Sequence, residues 1–284
     1  MTTRVMGCID GSSFATAVCD YAAWASLKLG APLTFLHALD EHVERPESDL
    51  SGNIGLGSRE HLLEELAQLD EQHGKLARQH GQLMLEDVRQ RAEEKGCNAP
   101  QVRQRHGGLV EALAELEDEI RLLVLGKRGE AAATASEHLG SNLERVIRAV
   151  HKPVLVAIDD YRDIKRVMIA FDNSATTRRG VEMLAAGGLL NGLACHVVTI
   201  GADSEAAQKG LPWAEGVLST AGIDVTSVIR SGDVEETLAS YARDNAIDLM
   251  VMGAYGHSRI RHLLVGSTTT AMIRNTQIPL LLLR

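Results

Sequence analysis

The chain has 284 residues, 45% of them apolar and 24% charged, enough to bury a sizeable core in two ordinary domains or one large one. Aromatic residues make up only 3%, so the core must be built from Leu, Val, Ile and Ala, and base stacking on single-stranded nucleic acid is a poor fit. A net charge of −9 argues against non-specific binding to nucleic acid or to a membrane surface.

The N-terminus, Met1-Thr2-Thr3-Arg4-Val5-Met6, enters a strand-like run directly. It has no leader pattern, and nowhere do about 18 apolar residues follow one another. A cytoplasmic location without membrane insertion is the expectation. Val5 to Ile9 reads as a first strand. From about Ser13 to Leu29 a helix is predicted, with Ala17, Tyr21, Trp24 and Leu27 on its period. Gly30-Ala31-Pro32 ends it, and Leu33 to Leu39 is a second strand. Residues 40–57 are polar and Gly-containing and read as a mobile loop.

A charged helical stretch runs from about Arg59 to Lys95. Within it Leu62, Leu66, Leu69, His73, Leu76, His80 and Leu83 alternate by four and three residues, a heptad stripe. Either the helix pairs with a partner or it is one long crossover packed on its own sheet; the second reading is preferred. A strand at Val102 to Arg105, a helix at Val110 to Ile120, a strand at Leu122 to Gly126, a helix at Ser141 to Ala149 and a strand at Val154 to Ile158 complete the first half. The cysteines, Cys8, Cys19, Cys97 and Cys195, have no metal-ligand spacing and read as buried, reduced thiols.

The second half repeats the first. Arg4-Val5-Met6 and its following Asp10-Gly11-Ser12 align with Arg166-Val167-Met168 and Asp172-Asn173-Ser174, and Gly140-Ser141 aligns with Gly266-Ser267. The landmarks lie closer together in the second copy, so the first carries extra length in its middle. This predicts domains over 1–158 and 164–284, with residues 159–163 as a polar linker and a shorter second helix from about Ser204 to Ala221. Strands separated by helical crossovers predict an α/β fold: two tandem open parallel five-stranded sheets with helices on both faces. Such sheets bind ligands at the carboxyl ends of their strands. The apolar final strand, Leu280 to Leu283, needs cover, and pairing with its counterpart in the first copy or in another chain is expected.

Several features converge at that edge in the second copy. Asp172 ends the first strand and Ile200 the second. Gly253 and Gly256 follow the fourth strand, His257 and Arg259 lie in the loop beyond, and Gly266, Ser267 and Thr268 open the last helix. Glycines let backbone N–H groups approach a ligand, and a helix start adds unpaired donors and partial positive charge, which together make a phosphate cradle.

These residues resemble the universal stress protein family in its tandem two-domain form. The family's ATP pattern, G-x2-G-x9-G-[ST], is matched completely by Gly253, Gly256, Gly266 and Ser267. The resemblance implies an adenine-nucleotide alpha-hydrolase-like fold and ATP as ligand, alone or with magnesium. Asp172 would take a ribose hydroxyl or adenine amine, and Ile200 would lie beside the base. It also implies dimerisation through final strands. The first copy departs from the pattern. Asp10, Ala38, Gly126, Gly129, Gly140 and Ser141 correspond, but ten residues separate Gly129 from Gly140 and the loop carries Glu130 and Glu137. That disfavours a polyphosphate there, unless Lys127 and Arg128 face the ligand.

No G-x4-G-K-[ST] loop, G-x-S-x-G elbow or H-E-x-x-H helix is present, and no catalytic residue is assigned. The expectation is a stress-response protein whose ATP occupancy regulates assembly or partner choice. A nucleotide-free scaffold and a slow ATPase are the alternatives.

Overall fold

The computed structural model describes residues 3–39, 56–129, 141–201, 205–254 and 267–284, the side chains of residues 56–63, 141 and 205–207 excepted. The first half contains β1 (Arg4–Cys8), α1 (Ala15–Leu29), β2 (Leu33–Leu39), α2 (Leu56–Glu94), β3 (Gln101–His106), α3 (Leu109–Leu116), β4 (Ile120–Gly126), α4 (Ser141–Ala149) and β5 (Val154–Ala157). The second contains β6 (Arg166–Ala170), α5 (Ala175–Gly187), β7 (Ala194–Ile200), α6 (Glu205–Thr220), β8 (Asp224–Arg230), α7 (Val234–Asp244), β9 (Leu249–Gly253), α8 (Ser267–Asn275) and β10 (Leu280–Leu283).

Each half is a parallel five-stranded sheet, and the two join into one ten-stranded sheet in the order β3-β2-β1-β4-β5-β10-β9-β6-β7-β8. The junction is the single antiparallel ladder, Leu280 opposite Val156, Leu281 opposite Leu155 and Leu282 opposite Val154. The final strand thus finds its cover within the chain. β10 lies mid-sheet, where both faces are covered, which is why it is an unbroken apolar run and not an alternating one. Leu281 and Leu283 enter the core on one face, Leu280 and Leu282 the core on the other. All four are at most 2% exposed, each contributing roughly 1.5–3 kcal/mol by burial. The outer strands β3 and β8 carry Arg103, Arg105, Asp224 and Arg230, and such charge blunts a sheet edge.

Two elements depart from the sequence expectation. α3 stops at Leu116, a 3-10 turn covers Glu117–Glu119, and Ile120 begins β4 opposite Arg4. Arg4 and Arg103 both pair with Glu119, at 3.3 and 2.9 Å, which holds the turn beside the strands. α2 is the larger correction. Among its described side chains, those of the C-terminal part pack on the body, through Leu85, Val88 and Ala92. From Glu64 to His80 the helix is exposed, apart from half-buried Leu66. Length explains this. The 39 residues of α2 span about 58 Å, whereas seven-residue β2 spans about 23 Å, so most of the helix must overhang.

Its base is firmly tied. Asp20 on α1 accepts from Arg91 Nε at 2.6 Å and Nη2 at 2.8 Å, with Lys95 Nζ 3.3 Å away. Lys95 also sits 4.8 Å over the Tyr161 ring, which lies against Tyr21. Tyr21 Oη donates to Asp160 O and accepts from Arg162 N, so residues between β5 and β6 are bound to α1 and α2.

Candidate functional site

In each half the strand order reverses beside the first strand, between β1 and β4 and between β6 and β9. The crevice at such a reversal is open to a ligand because the following connections leave in opposite directions. Asp10 and Asp172 stand just beyond β1 and β6. Asp10 Oδ1 accepts from Ser12 N at 3.1 Å and Ser12 Oγ at 2.5 Å. Asp172 Oδ1 accepts from Ser174 N at 3.0 Å and Thr177 Oγ1 at 2.7 Å. Both carboxylates therefore shape the turn into the next helix, and Asn173 completes the second turn with a φ of 59°.

In the second half the ladders bring Asp172, Ile200 and Gly253 to one edge. Ala170 pairs with Val198 and Ile169 with Val251, so Ile200 and Gly253 end their strands beside Asp172. Gly253 O accepts from Thr269 Oγ1 at 3.2 Å, which holds the first turn of α8 at the end of β9. There Ser267 is exposed and Thr268 half-buried. Gly256, His257, Arg259 and Gly266 lie outside the described residues. Helix α6 adds something the sequence did not signal. Trp213 stacks near Phe171 with centroids 6.2 Å apart, and Arg178 lies 3.8 Å over the Trp213 ring. A Cβ on Gly210 would come within 2.6 Å of the Asn173 side chain, so α6 presses close to the strand-one turn.

In the first half an open cleft brings together Asp10, Ala38, Gly126 and Gly129, the residues picked out from the weaker motif copy. Ser141 opens α4, and Gly140 lies outside the described residues. The cleft is also lined by Ile9, Leu109, Arg128 and Asn142. Of these, Leu109 and Asn142 are joined to it only by the folding of α3 and α4 and carry no local signal. A Cβ on Gly126 would meet Phe14 Cβ at 2.8 Å, and one on Gly129 would meet Asp10 Oδ2 at 2.9 Å. Larger residues would fill this cradle.

Lys127 and Arg128 divide. Lys127 Nζ donates to Arg274 O at 2.7 Å and Thr276 O at 3.1 Å, the C-terminal end of α8 in the other half. Burial, then neighbouring Arg128, hold its pKa below the usual lysine value. Arg128 lines the cleft, supplying a cation there. The acidic residues Glu130 and Glu137, on which the expectation of weak phosphate affinity rested, lie outside the described residues. At the cleft floor Cys8 is raised in pKa by burial and by Asp10, which keeps it a neutral thiol.

Comparison with known proteins agrees with this architecture. The sequence model of the universal stress protein family matches residues 1–157 and again 163–284. The chain belongs to the universal stress protein family. It is 40% identical over 285 aligned positions, 99% of each chain, to universal stress protein Slr1230 of Synechocystis sp.. Among solved structures, a universal stress protein from Archaeoglobus fulgidus superimposes with a TM-score of 0.74 at 20% identity, over 99% of this chain and 98% of that one. A putative universal stress protein from Pseudomonas aeruginosa gives 0.60 at 14% identity, over 99% and 93%. At those identities the two structures speak for the fold alone.

Proposed function

We propose that this universal stress protein binds ATP at the carboxyl edge of its second domain, and that occupancy regulates its assembly or partner choice without turnover. The observation that supports this best is the first turn of α8, held at the end of β9 by Thr269 and Gly253 beside Asp172. A helix start in that position offers backbone N–H donors and partial positive charge to a phosphate chain. In sequence, the complete glycine pattern, His257 and the cation Arg259 join these two elements. Asp172 would accept a ribose hydroxyl, and Ile200 would lie beside the base. Magnesium, if it accompanies the nucleotide, would be held by the Ser267 or Thr268 hydroxyl and would offset phosphate charge. Asp172 Oδ1 already accepts two hydrogen bonds, which favours a positioning role over that of a general base.

A second reading extends nucleotide binding to the first domain. Arg128 in the cleft of Asp10, Gly126 and Gly129 favours it.

The test is whether nucleotide accompanies the protein. Mass spectrometry of the denatured, freshly purified chain should release ATP, and ATP added to stripped protein should raise its melting temperature. Absence of both would leave the nucleotide-free scaffold. Phosphate release that disappears in Gly253→Val would replace the regulatory reading with a slow ATPase.

A further inference from the structure

The overhang of α2 presents a row of exposed leucines on an organised surface. Leu69, Leu76 and Leu83 are 50%, 61% and 66% exposed, and they share one stripe with Leu66, His73 and His80. At about 100° per residue this stripe lies roughly a third of a turn away from the face of Gly81, Leu85, Val88 and Ala92 that meets the body. The described part of the body therefore leaves it exposed. A solvated helix of this kind derives little stability from its own backbone, since most helical stability comes from packing an apolar face.

Charge along the overhang identifies what fits. From Glu64 to Glu71 it carries four carboxylates and no base, and from Gln72 to Leu83 it carries Lys75 and Arg78, with two histidines and no acid. Two copies laid parallel would set carboxylates against carboxylates. Laid antiparallel about Glu71, each acidic half lies along the other copy's basic half. The same arrangement puts Leu66 beside the second copy's Leu76, and Leu69 beside its His73, so every central layer of the seam has at least one leucine. An antiparallel pair is isologous and closes as a two-fold dimer. Leu66, Leu69 and Leu76 all precede Arg78, whose carbonyl oxygen accepts from Gln104 Nε2 at 3.2 Å, and Gly81, which lies against His37 and Gln104, where α2 meets its own sheet.

We infer that the α2 overhang is a self-association surface, and that a second copy of this chain packs on it antiparallel through Leu66, Leu69 and Leu76. This interface is separate from the β5–β10 ladder, which joins the two halves of one chain. The base of the helix, tied by Asp20 to Arg91 and Lys95, fixes the direction in which the overhang leaves the body.

Sedimentation equilibrium on the full chain tests it. The wild type should dimerise, and Leu69→Glu/Leu76→Glu should raise the dimer Kd by at least about a hundredfold while leaving the melting temperature of the body unchanged. Orientation is read by cross-linking. Separate Leu66→Cys and Leu76→Cys chains, mixed under oxidation, should form mixed disulfide dimers in preference to either homodimer. The native thiols Cys8, Cys19, Cys97 and Cys195 are all buried and do not compete. A monomeric wild type overturns the inference, as does a dimer indifferent to the double glutamate variant. Cross-linking of each cysteine chain mainly to itself overturns the antiparallel arrangement.

Discussion

Replacing Asp20 with alanine tests how the long helix is anchored. The Asp20 side chain is only 5% exposed, but its partners Arg91 and Lys95 are 43% and 33% exposed. Breaking a fully buried pair costs about 3–5 kcal/mol because a charge is stranded, whereas an exposed pair contributes about 0–1 kcal/mol. Here both cations can rehydrate once the carboxylate is gone. The loss should then approximate the value of a two-pronged charge-assisted contact reduced by that solvation, about 2 kcal/mol. Asp20→Asn keeps one acceptor and should lose about half as much, roughly 1 kcal/mol. For a chain of this size about 2 kcal/mol corresponds to a fall in Tm of about 4–8 °C. Urea denaturation of the wild type, the two variants and the Asp20→Ala/Arg91→Ala pair would measure the loss and the coupling. A change below about 0.5 kcal/mol for Asp20→Ala, or no coupling to Arg91, would refute the argument.

Other outcomes follow from the same structure. Leu282→Ala opens a cavity in the strand shared by the two halves and should cost about 2–5 kcal/mol. Followed separately through Trp24 and Trp213, the only two tryptophans, both halves should unfold together; two separate transitions would mean that the β5–β10 ladder does not couple them. Stability should fall in alkali. Burial pushes Cys19 and Cys195 from 9.0 up to about 12, and Tyr21 and Tyr161 from 10.0 up to about 12. Below pH 9 folded and unfolded chains both keep these protons, so the contribution is complete; between pH 9 and 12 the unfolded chain ionises first and it is lost. Denaturant midpoints recorded across that range check the fall. A thiol reagent at pH 8 should leave the native chain unmodified and label four cysteines after unfolding; rapid native labelling would contradict their burial.

Much of the architecture could be read from local pattern. Repeating Arg-Val-Met starts, strand-end aspartates and Gly-Ser helix openings are short-range signals, and they recovered the order of strands and helices. Cover for Leu280 to Leu283 was legible as a need, but the choice between a partner within the chain and one outside it depends on long-range geometry. The same limit explains α2. Its heptad stripe marks an apolar face, yet whether the sheet reaches that face depends on the relative lengths of a helix and a strand. At Glu117 to Ile120 periodicity alone ran the helix on, where the ion pairs of Glu119 and the burial of Ile120 end it. Asp172, Ile200, Gly253, Ser267 and Thr268 lie along the carboxyl edge of the second half, at strand ends and a helix start that local pattern marks. The contributions of Leu109, Asn142 and Trp213, and the divergence of Lys127 from Arg128, come from helices packing across the sheet and have no sequence signature.

Nucleotide binding at the β9–α8 edge is the central proposal. Calorimetric titration of nucleotide-stripped full chain with ATP, repeated on Gly253→Val and Gly126→Val, tests it most directly. Binding should be saturable, lost in Gly253→Val and retained in Gly126→Val. Binding that survives Gly253→Val and vanishes in Gly126→Val, or no heat from the wild type at any ATP concentration, would contradict it.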